Sequence, residues 1–159
     1  MITICKLGPD GQRKIKEGGV MEKQIVITAL DRHRILDCLY VLNEFPEKRT
    51  LPHIQRLEDE VKHATVILDP IYMPADVITM RSRAKLRSPA TQEAVEWTLV
   101  YPAEGDMACG RVSILSPIGS AMIGCKVGDS FEADMAGGRN EFVVEEITYQ
   151  PEATGEQYV

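Results

Sequence analysis

Across residues 28–68 the apolar positions recur at spacings of three and four. Ile35, Leu39 and Leu42 make one stripe, and Ile54, Leu57, Val61, Ala64 and Leu68 make another. That is the period of an amphipathic helix face. Thr28, with Asp31 three residues on, gives the first helix a capping-box-like start, because an acidic residue there helps satisfy the free amides of the first turn. Residues 44–50 interrupt the pattern, with Pro46 among charged neighbours. Pro52 then suits the first turn of a second helix, where its missing N–H is tolerated. Two helices joined by a short link most economically form an antiparallel hairpin, a short coiled coil in which each stripe hides against the other. Arms of about 15 residues would be roughly 22 Å long.

After Asp69-Pro70 the texture changes. Segments 77–80, 94–101, 111–115, 131–135 and 141–149 are rich in β-branched and aromatic residues and are separated by Gly, Pro and Asp, which predicts strands. In this half only 116–124 reads as helix: Ser116 suits the N-cap, Pro117 the first helical position and Gly124 a left-handed C-cap. Val127-Gly128-Asp129 turns the chain, and Gly137-Gly138 marks a hairpin between the last two strands. The predicted fold class is α+β, with a helical hairpin over 21–70 and a twisted antiparallel sheet carrying one short helix over 71–159. Residues 1–20, rich in Gly and Lys, read as a flexible extension. Met21 reads as the natural start, because Lys16-Glu17-Gly18-Gly19 is what the purine-rich codons of a ribosome-binding sequence would encode.

Composition narrows the function classes. A compact chain of this size buries about 70% of the surface its unfolded form exposes, enough for a normal core. The net charge of −6 argues against general nucleic-acid binding, whose affinity comes mainly from Lys and Arg, and no sequence-specific nucleic-acid binding is expected. No apolar run approaches the ~20 residues that span a bilayer, and residues 1–20 lack the apolar stretch of a secretory signal. The expectation is a cytoplasmic protein with reduced thiols. Cys5, Cys38, Cys109 and Cys125 are scattered without a CxxC pair and read as small buried hydrophobes.

Residues for chemistry are sparse. His33, His53 and His63 are not at metal-binding spacing and read as solvated helix positions. Glu145 and Glu146, adjacent on a strand, leave opposite faces, and Glu58, Asp59 and Glu60 form a charged helix surface. There is no GxSxG, phosphate-binding loop or dinucleotide fingerprint. No enzyme activity, metal or cofactor is therefore expected. One charged pattern stands out: Arg81, Arg83, Lys85 and Arg87 alternate with Ser82, Ala84, Leu86 and Ser88. If extended, this stretch puts four cations on one face. It is either a solvated strand face, the favoured reading, or a contact stripe for an acidic protein surface.

The stretch Leu115-Ser116-Pro117-Ile118-Gly119-Ser120-Ala121-Met122-Ile123-Gly124, followed by Lys126-Val127-Gly128-Asp129, resembles the C-terminal domain of the Gre transcript-cleavage factors. Met80-Arg81-Ser82-Arg83, Leu99-Val100-Tyr101-Pro102 and Tyr149-Gln150-Pro151-Glu152-Ala153 extend the resemblance to their relatives, the regulators of nucleoside diphosphate kinase. The resemblance implies an FKBP-like C-terminal domain that docks on the rim of the RNA polymerase secondary channel, with no active site of its own. It implies that Ser116, Pro117, Ile118 and Gly119 belong to the docking surface, with Ile118 as an apolar anchor if exposed. Gre factors carry acidic residues at the tip of a long coiled coil that help hold a catalytic magnesium. Here the link offers Glu47 beside Lys48 and Arg49, and the two cations oppose metal recruitment. Binding without stimulated transcript cleavage is the expectation. Control of nucleoside diphosphate kinase, direct or through transcription, is the alternative. Peptidyl-prolyl isomerase activity is suggested by fold alone, which is weak ground; its aromatic candidates are Trp97, Tyr101, Phe131, Phe142 and Tyr149.

Overall fold

The structure, a computed structural model, describes residues 24–156 and, ahead of them, two paired dipeptide strands, β1 (Lys14–Ile15) and β2 (Met21–Glu22). The rest of the extension over 1–20, and with it the question of a start at Met21, lies outside the described residues. Strand β3 (Val26–Thr28) leads directly into helix α1 (Ala29–Val41). Thr28 stays extended while its Oγ1 accepts the Asp31 amide at 3.1 Å, the cap that the sequence pattern predicts. The link is more ordered than an irregular break. It holds a 3₁₀ turn (Leu42–Glu44) and a one-turn helix α2 (Pro46–Arg49), before α3 (Pro52–Lys62).

Helix α3 stops at Lys62 and does not reach Leu68. Thr65, Val66 and Ile67 are consecutive β-branched residues that favour the extended state. They form β4 (Thr65–Ile67), parallel to β3 with Val26 opposite Thr65. Leu68 is consequently 85% exposed, not part of an inner stripe.

The main sheet has five strands: β5 (Arg83–Arg87), β6 (Ala94–Val100), β7 (Arg111–Ser113), β8 (Ser130–Met135) and β9 (Gly138–Tyr149), in the order β7-β6-β5-β9-β8. It is mixed, not antiparallel throughout, since β6 and β7 run parallel. Register shifts between Arg83 and Ala84 and between Lys85 and Leu86 add local twist to the β5–β9 pairing and curl the sheet. Residues 77–80 are not a strand: only Val77 makes a bridge, to Lys126. Arg81, at φ 64°, breaks the extended run, so the strand begins two residues later. The β8–β9 hairpin turns at Ala136-Gly137, with Met135 opposite Gly138, whose φ of 116° suits glycine. Helix α4 (Pro117–Met122) lies where expected, with Gly124 left-handed after it. A second short helix, α5 (Pro151–Thr154), follows β9, where the sequence shows no helical periodicity.

The buried stripes of α1 and α3 do not simply face each other. Ile35, Leu39, Ile54, Leu57 and Val61 belong to the same apolar cluster as Leu86, Leu99, Met122 and Phe131. The helices therefore share one core with the sheet, with α4 packed between α3 and β8.

Candidate functional site

The segment 113–119 is a tightly built cap. Ser116 Oγ donates to the Ser113 carbonyl at 2.7 Å and accepts the Gly119 amide at 3.0 Å, while Pro117 fills the first helical position. Gly119 is obligatory, because a Cβ there would sit 1.9 Å from the Ser113 carbonyl oxygen. Ser116 and Pro117 remain half-exposed. Ile118 does not: it is 7% exposed and part of the core, so it is no surface anchor. The helix turns its second residue inward because the chain enters α4 from a strand that lies under it.

What the surface offers beside the cap is Leu115. With Cys38 and Val41 of α1 and with Tyr101, Pro102 and Ala103 it lines an open, mainly apolar groove of about 510 Å³. His53, in the first turn of α3, is half-buried and places Nε2 3.0 Å from the Leu115 carbonyl, which requires the proton on that nitrogen. Burial lowers its pKa below the ordinary histidine value, against the opposing hydrogen bond. His53 is therefore a packing residue that ties α3 to the cap, unlike the exposed His33 and His63.

The three outlying motifs converge on one buried polar network that no sequence pattern singled out as such. The Tyr101 hydroxyl donates to Asp31 Oδ1 at 2.9 Å, and Arg34 and Arg81 lie 5.9 and 5.7 Å from its ring centroid. The Thr79 hydroxyl donates to Glu152 Oε2 at 2.7 Å, and the Thr79 amide donates to Ser82 Oγ at 2.9 Å. Gln150 Nε2 donates to the carbonyls of Pro74 and Val77 at 2.7 and 2.9 Å. Burial raises the carboxyls of Asp31 and Glu152 above the usual range, and burial beside Asp31 pushes the Tyr101 hydroxyl well up. The network joins α1, the 79–82 turn and α5, so it fixes the helical layer to the sheet. The signal in the sequence is the resemblance itself: Ser82, Tyr101, Gln150 and Glu152 each fall within a motif that carries it.

The basic stripe is less of a stripe than its alternation predicts. Ala84 and Leu86 are buried, which puts Arg83, Lys85 and Arg87 on the outer face, but Arg81 lies outside the strand. Acidic residues stand among them: Glu104 beside Arg81 at 2.9 Å, Glu96 beside Arg83 at 3.9 Å, and Glu145 beside Lys85 and Arg87. At the link, Glu44 and Glu47 are exposed and Lys48 lies over the Phe45 ring. Arg49 turns back, donating to the Leu39 carbonyl at 3.0 Å and to Glu58 at 2.9 Å, so it staples α1 to α3 and is not a free tip charge. Cys125 is buried, as the sequence suggests, whereas Cys38 is half-buried and Cys109 exposed.

Of the aromatic residues in the sheet, Phe131, Phe142 and Trp97 serve the core. Phe131 and Phe142 are buried, and Trp97 packs edge-on against Phe142 at 5.3 Å. Among the described residues no three His, Cys, Asp or Glu side chains converge to hold a metal ion, and no helix is long and apolar enough to cross a membrane.

Residues 73–149 match the family model described as transcription elongation factor, GreA/GreB, C-term. The chain is 38% identical over 133 residues to the regulator of nucleoside diphosphate kinase of Escherichia coli (strain K12), covering 83% of this chain and 94% of that one. It is 35% identical over 91 residues to the transcription elongation factor GreA of Clostridium beijerinckii, 57% of this chain and 56% of that one. Among solved structures, the prokaryotic transcription elongation factor GreA/GreB from Nitrosomonas europaea superimposes with a TM-score of 0.67 at 34% identity, over 80% of this chain and 99% of that one.

Proposed function

The chain belongs to the regulator of nucleoside diphosphate kinase family, within the wider Gre group of transcription elongation factors, and from that premise we propose that it is a non-enzymatic regulator of RNA polymerase. The observation that carries the reading is the position of the Ser116-Pro117 cap. It lies inside the segment shared with Gre C-terminal domains, is rigidly built, and is half-exposed beside an apolar groove. The docking surface on this reading is Ser116 and Pro117 with Leu115, while Ile118 and Gly119 hold the cap from within; the partner is the rim of the polymerase secondary channel. The sheet half, FKBP-like on the resemblance, is the docking body, and the helical pair over it is a short version of the Gre hairpin.

Transcript cleavage is not part of the proposal. Helix α1 has 13 residues and α3 has 11, lengths of about 20 and 16 Å, and both bury their apolar stripes in the cluster they share with the sheet. Lys48 also accompanies the acidic tip residue Glu47, while Arg49 turns back to Glu58.

Co-elution of the purified chain with bacterial core RNA polymerase tests the reading, with Pro117→Asp as the variant. An acidic residue is tolerated at a helix N-terminus, so the substitution puts a charge on the surface without breaking the cap. Loss of co-elution in the variant is expected. Absence of binding by the wild type, or undiminished binding by the variant, overturns the proposal. The name of the Escherichia coli relative supports a second reading, direct binding of nucleoside diphosphate kinase, which predicts a stable complex of the two purified proteins.

A further inference from the structure

The outer face of the sheet holds an arrangement that the proposed docking does not use. Thr98 on β6 is the direct cross-strand neighbour of Arg83 on β5 and of Arg111 on β7. Paired residues on adjacent strands, about 4.8 Å apart, present their side chains on the same face. A hydroxyl therefore stands between two guanidinium groups. The row lines an open pocket of about 550 Å³ together with Arg81, Glu96, Glu104 and Cys109.

The three arginines of this pocket are not equivalent. Arg81 donates from Nη2 and Nε to Glu104 Oε1 at 2.9 and 3.3 Å and is held in place. Arg83 comes no closer than 3.9 Å to Glu96, and Arg111 no closer than 3.5 Å to Asp106. Neither of these two guanidinium groups makes a side-chain hydrogen bond among the described residues. Both ion pairs are about half exposed, with side-chain exposures of 53% and 48% and of 49% and 42%. Pairs of that kind add little stability and are readily exchanged for a better acceptor.

We propose that Arg83, Thr98 and Arg111 form a binding site for a small phosphate-bearing ligand. The planar forks of Arg83 and Arg111 match phosphate oxygens in bidentate fashion, and the Thr98 hydroxyl donates to the oxygen between them. A small ligand is favoured over the acidic surface of a protein because Thr98 is half-buried between the more exposed Arg83 and Arg111. A pocket of this volume admits a small molecule, and a small phosphate can reach the Thr98 hydroxyl and both guanidinium groups at once. The site is independent of the docking reading, since α4 packs on the inner face of the sheet, where Leu99 is buried.

The test is calorimetric titration of the full chain with inorganic pyrophosphate at fixed ionic strength. The variants are Arg83→Gln, Arg111→Gln and Lys85→Gln, the last removing a charge from the same strand face outside the row. Saturable binding of one pyrophosphate per chain is expected. Loss of a charged hydrogen-bonding partner in Arg83→Gln or Arg111→Gln should weaken it about tenfold or more. Lys85→Gln should change it by about twofold at most, as a screened neighbouring charge would. Pro117→Asp should leave it unchanged, which separates failure of this site from failure of polymerase docking. No saturable binding by the wild type, or an equal loss in all three charge variants, overturns the proposal. So does an acidic protein partner lost on Arg83→Gln when pyrophosphate itself does not bind.

Discussion

Helices α1 and α3 pack on each other and share one apolar cluster with the main sheet, yet they use their apolar residues differently. In α3, Ile54, Leu57 and Val61 are all at or below 2% exposure, and no large apolar side chain of that helix is left outside. In α1, Ile35 and Leu39 are equally buried, but Tyr40 is 75% and Val41 58% exposed. Folding alone accounts for α3. Helix α1 carries apolar surface beyond what the core takes up, and Val41 is the part of it that meets Pro102, Ala103 and Leu115 in the groove beside the Ser116-Pro117 cap. An apolar residue that the core does not need marks where to look for a partner.

The widest gap between the helices should come from Leu57→Ala. Removing a fully buried leucine from a packed cluster should destabilise the chain by about 2–5 kcal/mol, read as a fall in the urea midpoint. A loss below 1 kcal/mol would mean that α3 does not share the sheet's core.

The attachment of α1 should depend on pH in a defined direction. Burial raises the Asp31 carboxyl above its unfolded value, so the folded chain holds that proton more tightly. Asp31 therefore contributes most to stability below the ordinary carboxylate range, and the contribution is lost as pH rises through the elevated folded value, at about 1.4 kcal/mol per unit of elevation. Compared with Asp31→Asn, the wild type should gain stability between neutrality and about pH 4. The opposite trend would show that Tyr101 and Arg34, which lower the carboxyl, outweigh its burial.

The smallest change in stability belongs to Val41→Ser, within about 0.5 kcal/mol, as for other surface substitutions. If the groove extends the docking surface, the same variant should nonetheless reduce co-elution with RNA polymerase. Unchanged co-elution would confine docking to the cap.

Much of this was legible beforehand because it rests on local chemistry. The Thr28 and Ser116 caps, Pro52 and Pro117 in first turns, left-handed Gly124 and the last hairpin each follow from a few neighbouring residues. The errors share one cause. A periodicity of three and four continues numerically to Leu68, but β3 offers a strand edge that Thr65, Val66 and Ile67 join instead. Strand-forming composition at 77–80 is overruled by the turn at Arg81, and β7 pairs parallel because two short 3₁₀ turns, at Pro102–Glu104 and Met107–Cys109, carry the chain back. For the candidate site, the positions of Ser116 and Pro117 were readable, while the inward turn of Ile118 and the groove beside Leu115 were not.

By itself, then, the sequence determined the caps, the turns, the apolar faces and the family, all of which depend on residues close in the chain or on motifs in a fixed order. The tertiary structure alone decided which partners those faces meet. It drew Asp31 to Tyr101 across 70 positions and Thr79 to Glu152 across 73, and it set Arg83, Thr98 and Arg111 in one row. Such pairings are chosen by where buried polar groups can find partners and by strand register, and neither is written in local spacing.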